Sequence, residues 1–303
     1  MENSWEHYKG LGLRAAKTPS LILRQMNRFH NRRFGIYEYN RDGVDVYRED
    51  WDNLVIIDAC RKDLFREVFS EYEVKNKISR GSNTPEFLKG NFENSSHGDT
   101  VYISANPHVG DKYEDLNMGF HEVIDLSKEQ WDAEAGTVLP EVTTEKAIEA
   151  SKEYPNKRII VHYMQPHLPF IGELGSKLDL PDDPWDALMK NENNINLEEV
   201  IEAYIENIEL VKPFVEELSN NLVGKTVVTS DHGNMLGETS YPIPIHEFGH
   251  PSATYTDELV TVPWVAIEYD NRREIRSETI TESVPNSHQS EVDSRLKSLG
   301  YLK

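Results

Sequence analysis

An α/β fold with a mainly parallel central sheet sandwiched by helices is what this 303-residue sequence predicts. Three observations predict it. Short β-branched runs alternate along the chain with helical stretches, the pattern of βαβ units. Three runs, Leu54-Val55-Ile56-Ile57, Ile159-Ile160-Val161 and Val227-Val228-Thr229, begin as apolar, β-branched stretches, as strands buried on both faces do. Each is followed at once by residues able to bind a ligand: Asp58, then His162 with His167, then Asp231-His232-Gly233. In open α/β sheets, ligands bind beyond the carboxyl ends of the strands.

The elements can be justified in order. Residues 1–41 carry eight Lys/Arg and three Glu, a basic extension on an acidic chain. Within it Ile22, Met26, Phe29 and Arg33 recur at helical spacing, flanked by Arg24, Arg28 and Arg32. That spacing predicts a basic amphipathic helix. Such a helix lies on an anionic membrane surface through residues 20–34, or packs on the chain's own acidic domain. Strand 53–58 follows, then a helix over 61–71. An extended segment over 77–82 leads into Pro85-Glu86-Phe87-Leu88, where Pro in the first turn and Thr84 as N-cap predict a helix start. Strands are expected over 100–104 and near 122–124, a helix over 143–154 and a strand over 157–163. Residues 171–196, polar and rich in Pro and Asn, read as a long loop or lid. A long helix spans 197–222, where Pro213 predicts a kink or a division. Strand 226–230, a second long loop over 233–256 and a strand over 259–267 come next. A flexible stretch over 270–290 and a small helix over 292–299 close the chain. The expected organisation is an extension (1–41), a catalytic domain (42–270) and a tail (271–303).

Charge bounds the partners. The chain has 53 acidic and 32 basic residues, a net charge of −21. Phosphate backbones need Lys and Arg, so nucleic acid is excluded as a partner. The acids are spread along the chain, and the self-repulsion they create would be screened by high intracellular salt, which points to a halophilic source. No apolar run of about 18 residues occurs, and the N-terminus lacks a basic start and an apolar core, so a cytoplasmic location is expected, with membrane-peripheral contact through the basic helix. The single Cys60 excludes an intramolecular disulfide and a cysteine-based zinc site.

Asp231-His232-Gly233 is the sharpest local motif: a carboxylate and an imidazole leave a strand end together, and both ligate zinc or manganese. Glycine there lets the chain turn sharply. Two hydroxyls, Ser82 and Thr84, stand at the start of the helix at Pro85, where free backbone amides favour an anion. His97, His108, His121 and His288 have no such context and are expected at the surface, and His246 is a bystander.

Asp58, Pro166-His167-Leu168-Pro169, Ser230-Asp231-His232-Gly233-Asn234-Met235-Leu236-Gly237-Glu238 and His250-Pro251 before Tyr255-Thr256-Asp257, in that order, resemble the sulfatase branch of the alkaline phosphatase superfamily over roughly residues 50–268. With the acidic composition, the resemblance suggests a haloarchaeal-type member. It implies an alkaline-phosphatase-like fold and a metal-dependent hydrolase of phosphate or sulfate esters, small or linked to glycan or lipid. Asp58, Asp231 and His232 match the family's metal ligands, with zinc or manganese expected and calcium a further candidate. Thr84 matches the nucleophile of the phosphoethanolamine transferases, and Ser82 that of the phosphoglycerol transferases; Thr84 is preferred. His162, His167, His250 and Arg61 are candidates for substrate binding or a second metal, His162 alternatively a core histidine and Arg61 a helix-surface residue. The formylglycine motif of the sulfatases proper is missing, so a Thr or Ser nucleophile and phosphoester chemistry are favoured. The alternatives are a phosphoglycerol- or phosphoethanolamine-type transferase, or an inactive member that binds an anionic glycan or lipid.

Overall fold

The computed structural model describes residues 19–279, except 182 and 192–194, together with 295 and 296. Seven strands form one sheet: β1 (Asn53–Asp58), β2 (Lys75–Ile78), β3 (Ser95–Ser104), β4 (Met118–Asp125), β5 (Arg158–Pro166), β6 (Thr226–Thr229) and β9 (Thr261–Ile267), in the order β2-β9-β6-β1-β5-β3-β4. The run β6-β1-β5-β3-β4 is parallel, and β9 is antiparallel to both β6 and β2. Strands β7 (Met235–Thr239) and β8 (His246–Gly249) make a separate hairpin.

Both faces of the sheet are covered, and β1 shows why its sequence is apolar throughout. Val55 and Ile57 enter one core, with Ala147, Ala203, Tyr204, Ile208 and Val211. Leu54 and Ile56 enter the other, with Phe87, Leu88, Phe92 and Val109. Side chains alternate across a strand, so a strand packed on both faces needs apolar residues at every position. The first face is covered by α2 (Lys62–Val68), α6 (Pro140–Glu153) and α9 (Leu197–Asn221), the second by α3 (Thr84–Phe92) and α4 (Pro107–Asp115). The one-turn helix α5 (Leu126–Glu129) follows β4.

Several expectations are corrected. The N-cap of α3 is Asn83, whose side chain accepts from the Glu86 amide, and Thr84 is the first helical residue. Helix α9 is continuous through Pro213, whose ring lies on the exposed side, where water can serve the carbonyl that proline leaves unpaired. Helix α4, not anticipated, is signalled by an Asn106 cap and Pro107 at its first turn. The two long loops are partly ordered: the first holds α7 (Glu173–Lys177) and α8 (Pro184–Met189), and the second holds the β7-β8 hairpin, against which α8 packs. The strand expected from residue 259 begins at Thr261, after the single turn α10 (Asp257–Val260).

Residues 270–279, expected to be flexible, are pinned across the amino ends of the strands. Arg272 pairs with Asp50 and Asp52, the Arg276 amide donates to Asn156 O at 2.9 Å and the Glu278 amide to Gly98 O at 3.0 Å. The small helix expected over 292–299 lies outside the described residues apart from 295 and 296. The basic segment forms α1 (Pro19–Asn31). No helix among the described residues is long and apolar enough to cross a membrane.

Candidate metal centre

Four adjacent parallel strands, β6, β1, β5 and β3, end on the same edge of the sheet. They deliver Asp231 and His232, Asp58, His167, and Asn106 to one place. At the end of β1 the ladder shifts register between Ile57 and Asp58, and Ala59 beyond it takes a left-handed backbone (φ 57°). Such an irregularity re-aims a side chain. It turns the Ala59 amide onto Asp231 Oδ1 (3.1 Å) and the Cys60 amide onto Ser230 Oγ (2.9 Å), tying the ends of β1 and β6 together.

Asp58, Asp231 and His232 are fully buried, and one ligand atom from each lies within 4.8 Å of the others. His232 Nε2 is 3.6 Å from Asp58 Oδ1 and 3.4 Å from Asp231 Oδ2. Its Nδ1 lies 2.8 Å from the Gly233 carbonyl, which can only accept, so Nδ1 donates there and the ring is held with Nε2 directed at the carboxylates. The glycine of the motif has a different reason from the one expected. A Cβ on Gly233 would come 2.0 Å from the Glu258 carbonyl oxygen, so close backbone packing requires glycine there.

Thr84 completes the cluster from the other side. The segment after β2 passes over the sheet edge, where Ser79 Oγ donates to the Asp231 carbonyl. The turn tightens at Gly81, where a Cβ would meet the Phe87 amide nitrogen at 2.4 Å. Thr84 Oγ1 then donates to Asp231 Oδ2 at 2.8 Å and lies 3.4 Å from His232 Nε2. Ser82 is placed differently. Its hydroxyl stands 3.0 Å from both Glu86 Oε2 and the Pro251 carbonyl, and so joins α3 to the 251–254 segment.

Asn106 is the site residue that the sequence reading missed. Its amide donates to Asp58 Oδ2 and stands 3.3 Å from Thr84 Oγ1, while its carbonyl oxygen caps α4 by accepting from His108 N at 2.8 Å. The signal was there: a cap residue and a proline directly follow the Val101–Ser104 run.

Three further histidines close in. His162 lies within β5 beneath the carboxylates, its Nε2 3.8 Å from both Asp58 Oδ2 and Asp231 Oδ2. Burial pushes its pKa down to about 4, and its Nδ1 lies 3.0 Å from the Tyr102 hydroxyl, which burial keeps protonated. Asp231 stays below the ordinary carboxylate range. Burial raises it, but His232, His162, the Thr84 hydroxyl and the Ala59 amide together outweigh that. His167 and His250 line a cavity of about 460 Å³, with Arg28, Asn83, His108 and Trp185 among the other wall residues. The His250 ring is 4.9 Å from the rings of both His167 and His232, so the histidines run from the cavity to the cluster.

Other placements differ from expectation. Arg61, a candidate anion holder, spends its guanidinium on Asp63 (2.7 Å) and Glu238 (2.6 Å) and on the Asn234 carbonyl. That bracket fixes the start of α2 to the start of the hairpin. His97 and His108, expected at the surface, are buried, His97 against Tyr47 and Phe120 and His108 on the cavity wall. His288 lies outside the described residues.

No family model matches the sequence, and no curated protein matches it. Among solved structures, the lipooligosaccharide phosphoethanolamine transferase A of Neisseria meningitidis, an integral membrane protein, superposes with a TM-score of 0.50 at 16% identity. The match covers 72% of this chain and 47% of that one, about half its length. The zinc complex of the C-terminal periplasmic domain of EcEptC from Escherichia coli gives 0.49 at 14% identity over 72% of each chain. A protein in the alkaline phosphatase superfamily from Vibrio parahaemolyticus gives 0.44 at 12% identity over 88% of this chain and 70% of that one. At such identities the likeness is one of fold.

Proposed function

Because the chain has the alkaline-phosphatase-like α/β fold, we propose that it is a metal-dependent enzyme that cleaves or transfers a phosphate-ester group, with Thr84 as the nucleophile. One observation carries the reading: a buried threonine hydroxyl hydrogen-bonded to one carboxylate of an Asp-Asp-His cluster. The donor set fits a divalent cation. Two buried carboxylates, with His162 neutral near pH 7, leave negative charge in need of a counter-ion. Oxygen donors with one imidazole suit zinc or manganese. Asp58, Asp231 and His232 would hold the ion beside the Thr84 hydroxyl, and the ion would acidify that hydroxyl and shield the ester oxygens.

The chain's own residues do the rest. Held by its hydrogen bond to Asp231 Oδ2, Thr84 Oγ1 loses its proton to solvent as it bonds to phosphorus, and the bond from phosphorus to the leaving oxygen breaks. The leaving alcohol departs with a proton from solvent, and a phosphothreonine diester or monoester remains at position 84. Water then completes hydrolysis, or a second hydroxyl completes transfer. Asn106 orients Asp58 and the nucleophile, while His167 and His250 wall the cavity from which the ester approaches. The Neisseria protein is by name a transferase of the phosphoethanolamine group, which keeps transfer beside hydrolysis here.

Aryl phosphodiester, phosphomonoester and sulfate substrates, assayed with zinc, manganese or calcium, test this reading. Phosphoester turnover is expected, with Thr84→Ala at least ~10³-fold slower and Ser82→Ala within about tenfold of the parent. Intact-mass and peptide analysis should find the phosphoryl adduct on Thr84. Turnover that survives Thr84→Ala would overturn the assignment of the nucleophile. A chain that binds aryl phosphates but never turns them over would be a binding protein.

A further inference from the structure

Helix α1 is amphipathic in the reverse of the usual sense. At 100° per residue, Arg24, Asn27, Arg28 and Asn31 share one face, and Ile22, Met26 and Phe29 share the opposite one. The polar face is the one that packs inward. Arg24 pairs with buried Glu247 at 3.0 Å, and Arg32 with buried Glu86 at 3.1 Å. Asn27 donates to Ser240 Oγ and the Ile243 carbonyl, and Asn31 donates to the Ala253 carbonyl. These contacts clamp the helix onto the β7-β8 hairpin and the segment after it, and Arg28 lines the cavity.

The apolar face is therefore turned outward. Of the large apolar side chains standing exposed among the described residues, most lie between 21 and 36: Leu21, Ile22, Leu23, Met26 (54%), Phe29 (55%), Phe34 (69%) and Ile36 (71%). Tyr241 at the hairpin tip extends the patch, its ring 5.9 Å from that of His30. Contiguous exposed apolar surface of this kind marks a binding face. Its charge names the occupant. Residues 19–37 contain Arg24, Arg28, Arg32 and Arg33 and no acid, on a chain of net charge −21. An anionic lipid surface takes both the apolar strip and the acid-free cationic edge beside it, where Arg33 and the half-exposed Arg32 stand. Arg33 is exposed, as is its partner Asp42, so it is available at that edge.

We infer that α1 and the turn after it, through residue 36, dock the chain on an anionic lipid bilayer, with Ile22, Met26, Phe29, Phe34 and Ile36 immersed. The inference is independent of turnover, because binding is read without it.

Co-sedimentation of the full chain with vesicles tests it. The probe vesicles are phosphatidylcholine alone and phosphatidylcholine with about 30 mol% phosphatidylglycerol, in low salt and about 1 M KCl. Binding is expected to the anionic vesicles in low salt, and to fall in high salt. The triple variant Ile22→Ser, Met26→Ser, Phe29→Ser should bind about tenfold or more weakly. A second variant, Phe34→Ser with Ile36→Ser, lies beyond the helix and should weaken binding in the same direction without touching the α1 clamp. Unchanged binding by both variants overturns the inference, as does the absence of wild-type binding. A wild-type dimer that the triple variant turns into monomer, without vesicle binding, also overturns it and makes the face a self-interface.

Discussion

Asn106 is the residue through which the candidate centre can be tested without removing a ligand. Its two jobs are separable, because serine also caps a helix but is too short to reach Asp58 and Thr84. Asn106→Ser is therefore expected to leave the thermal midpoint of the metal-free chain within a few degrees of the parent, and to weaken zinc binding about 10–100-fold, the usual effect of losing a group that orients a ligand. Zinc titration followed by calorimetry, with thermal melts before and after chelation, checks both halves. Unchanged zinc affinity would show that Asn106 serves α4 alone. Asp231 and His232 were legible in the sequence because a strand and a three-residue motif are local. Asn106 was not, because its meaning depends on β3 lying two strands from β1 and three from β6.

At the scale of elements, the turns that carry the site are set by backbone crowding. Gly233 leaves β6 against α10, and its position leaves no room for a methyl group beside the Glu258 carbonyl. The oxygen belongs to backbone and the added Cβ would be fixed by the backbone of residue 233, so neither yields easily. Gly233→Ala is expected to destabilise the fold by about 1–3 kcal/mol, the range for overpacking a tight contact, and to weaken metal binding by moving His232. Chemical denaturation gives the first quantity and metal titration the second. If Gly233→Ala kept both, the contact would not be rigid. The sequence foretold strands β1, β5 and β6 and the long helix α9, whose apolar periodicities are strong. It did not foretell the β7-β8 hairpin, where two strands of four and five residues include glycines. Such segments have weak propensity of their own, and the packing of α1 and α8 on them decides their form.

Across the whole molecule, buried neutral histidines tie stability to pH. His108 is held down to about 3 by burial, against an ordinary value of 6.5, and burial lowers His97 as well. Their folded-state values lie below the unfolded ones, so between the two the unfolded chain binds more protons. Stability is therefore full above about pH 6.5 and falls as pH drops toward the folded value. One such histidine changes the slope by at most about 1.4 kcal/mol per pH unit. Denaturant midpoints from pH 7.5 down to pH 4.5 should decline in the parent and decline less steeply in His108→Gln. An identical slope would mean that His108 is not buried neutral in solution. The acidity of the chain as a whole was plain from composition. That two surface-assigned histidines lie inside was not, since burial is a property of the closed sheet and its helices.

The sequence by itself determined the α/β class, the three strand ends that supply Asp58, the 162–167 histidines and the Asp231-His232-Gly233 turn, and the basic amphipathic character of α1. These rest on periodicity and on neighbours in the chain, which any linear reading sees. Only the tertiary structure decided that Thr84, not Ser82, faces Asp231 and His232, that Asn106 joins them, that Arg61 is spent on two carboxylates, and that the polar side of α1 is the buried one. Apart from the local Arg61–Asp63 pair, these depend on groups 22 to 223 residues apart, brought together by the order of strands and by which buried charges had to be paired. No local pattern records that order, so those decisions belong to the folded chain.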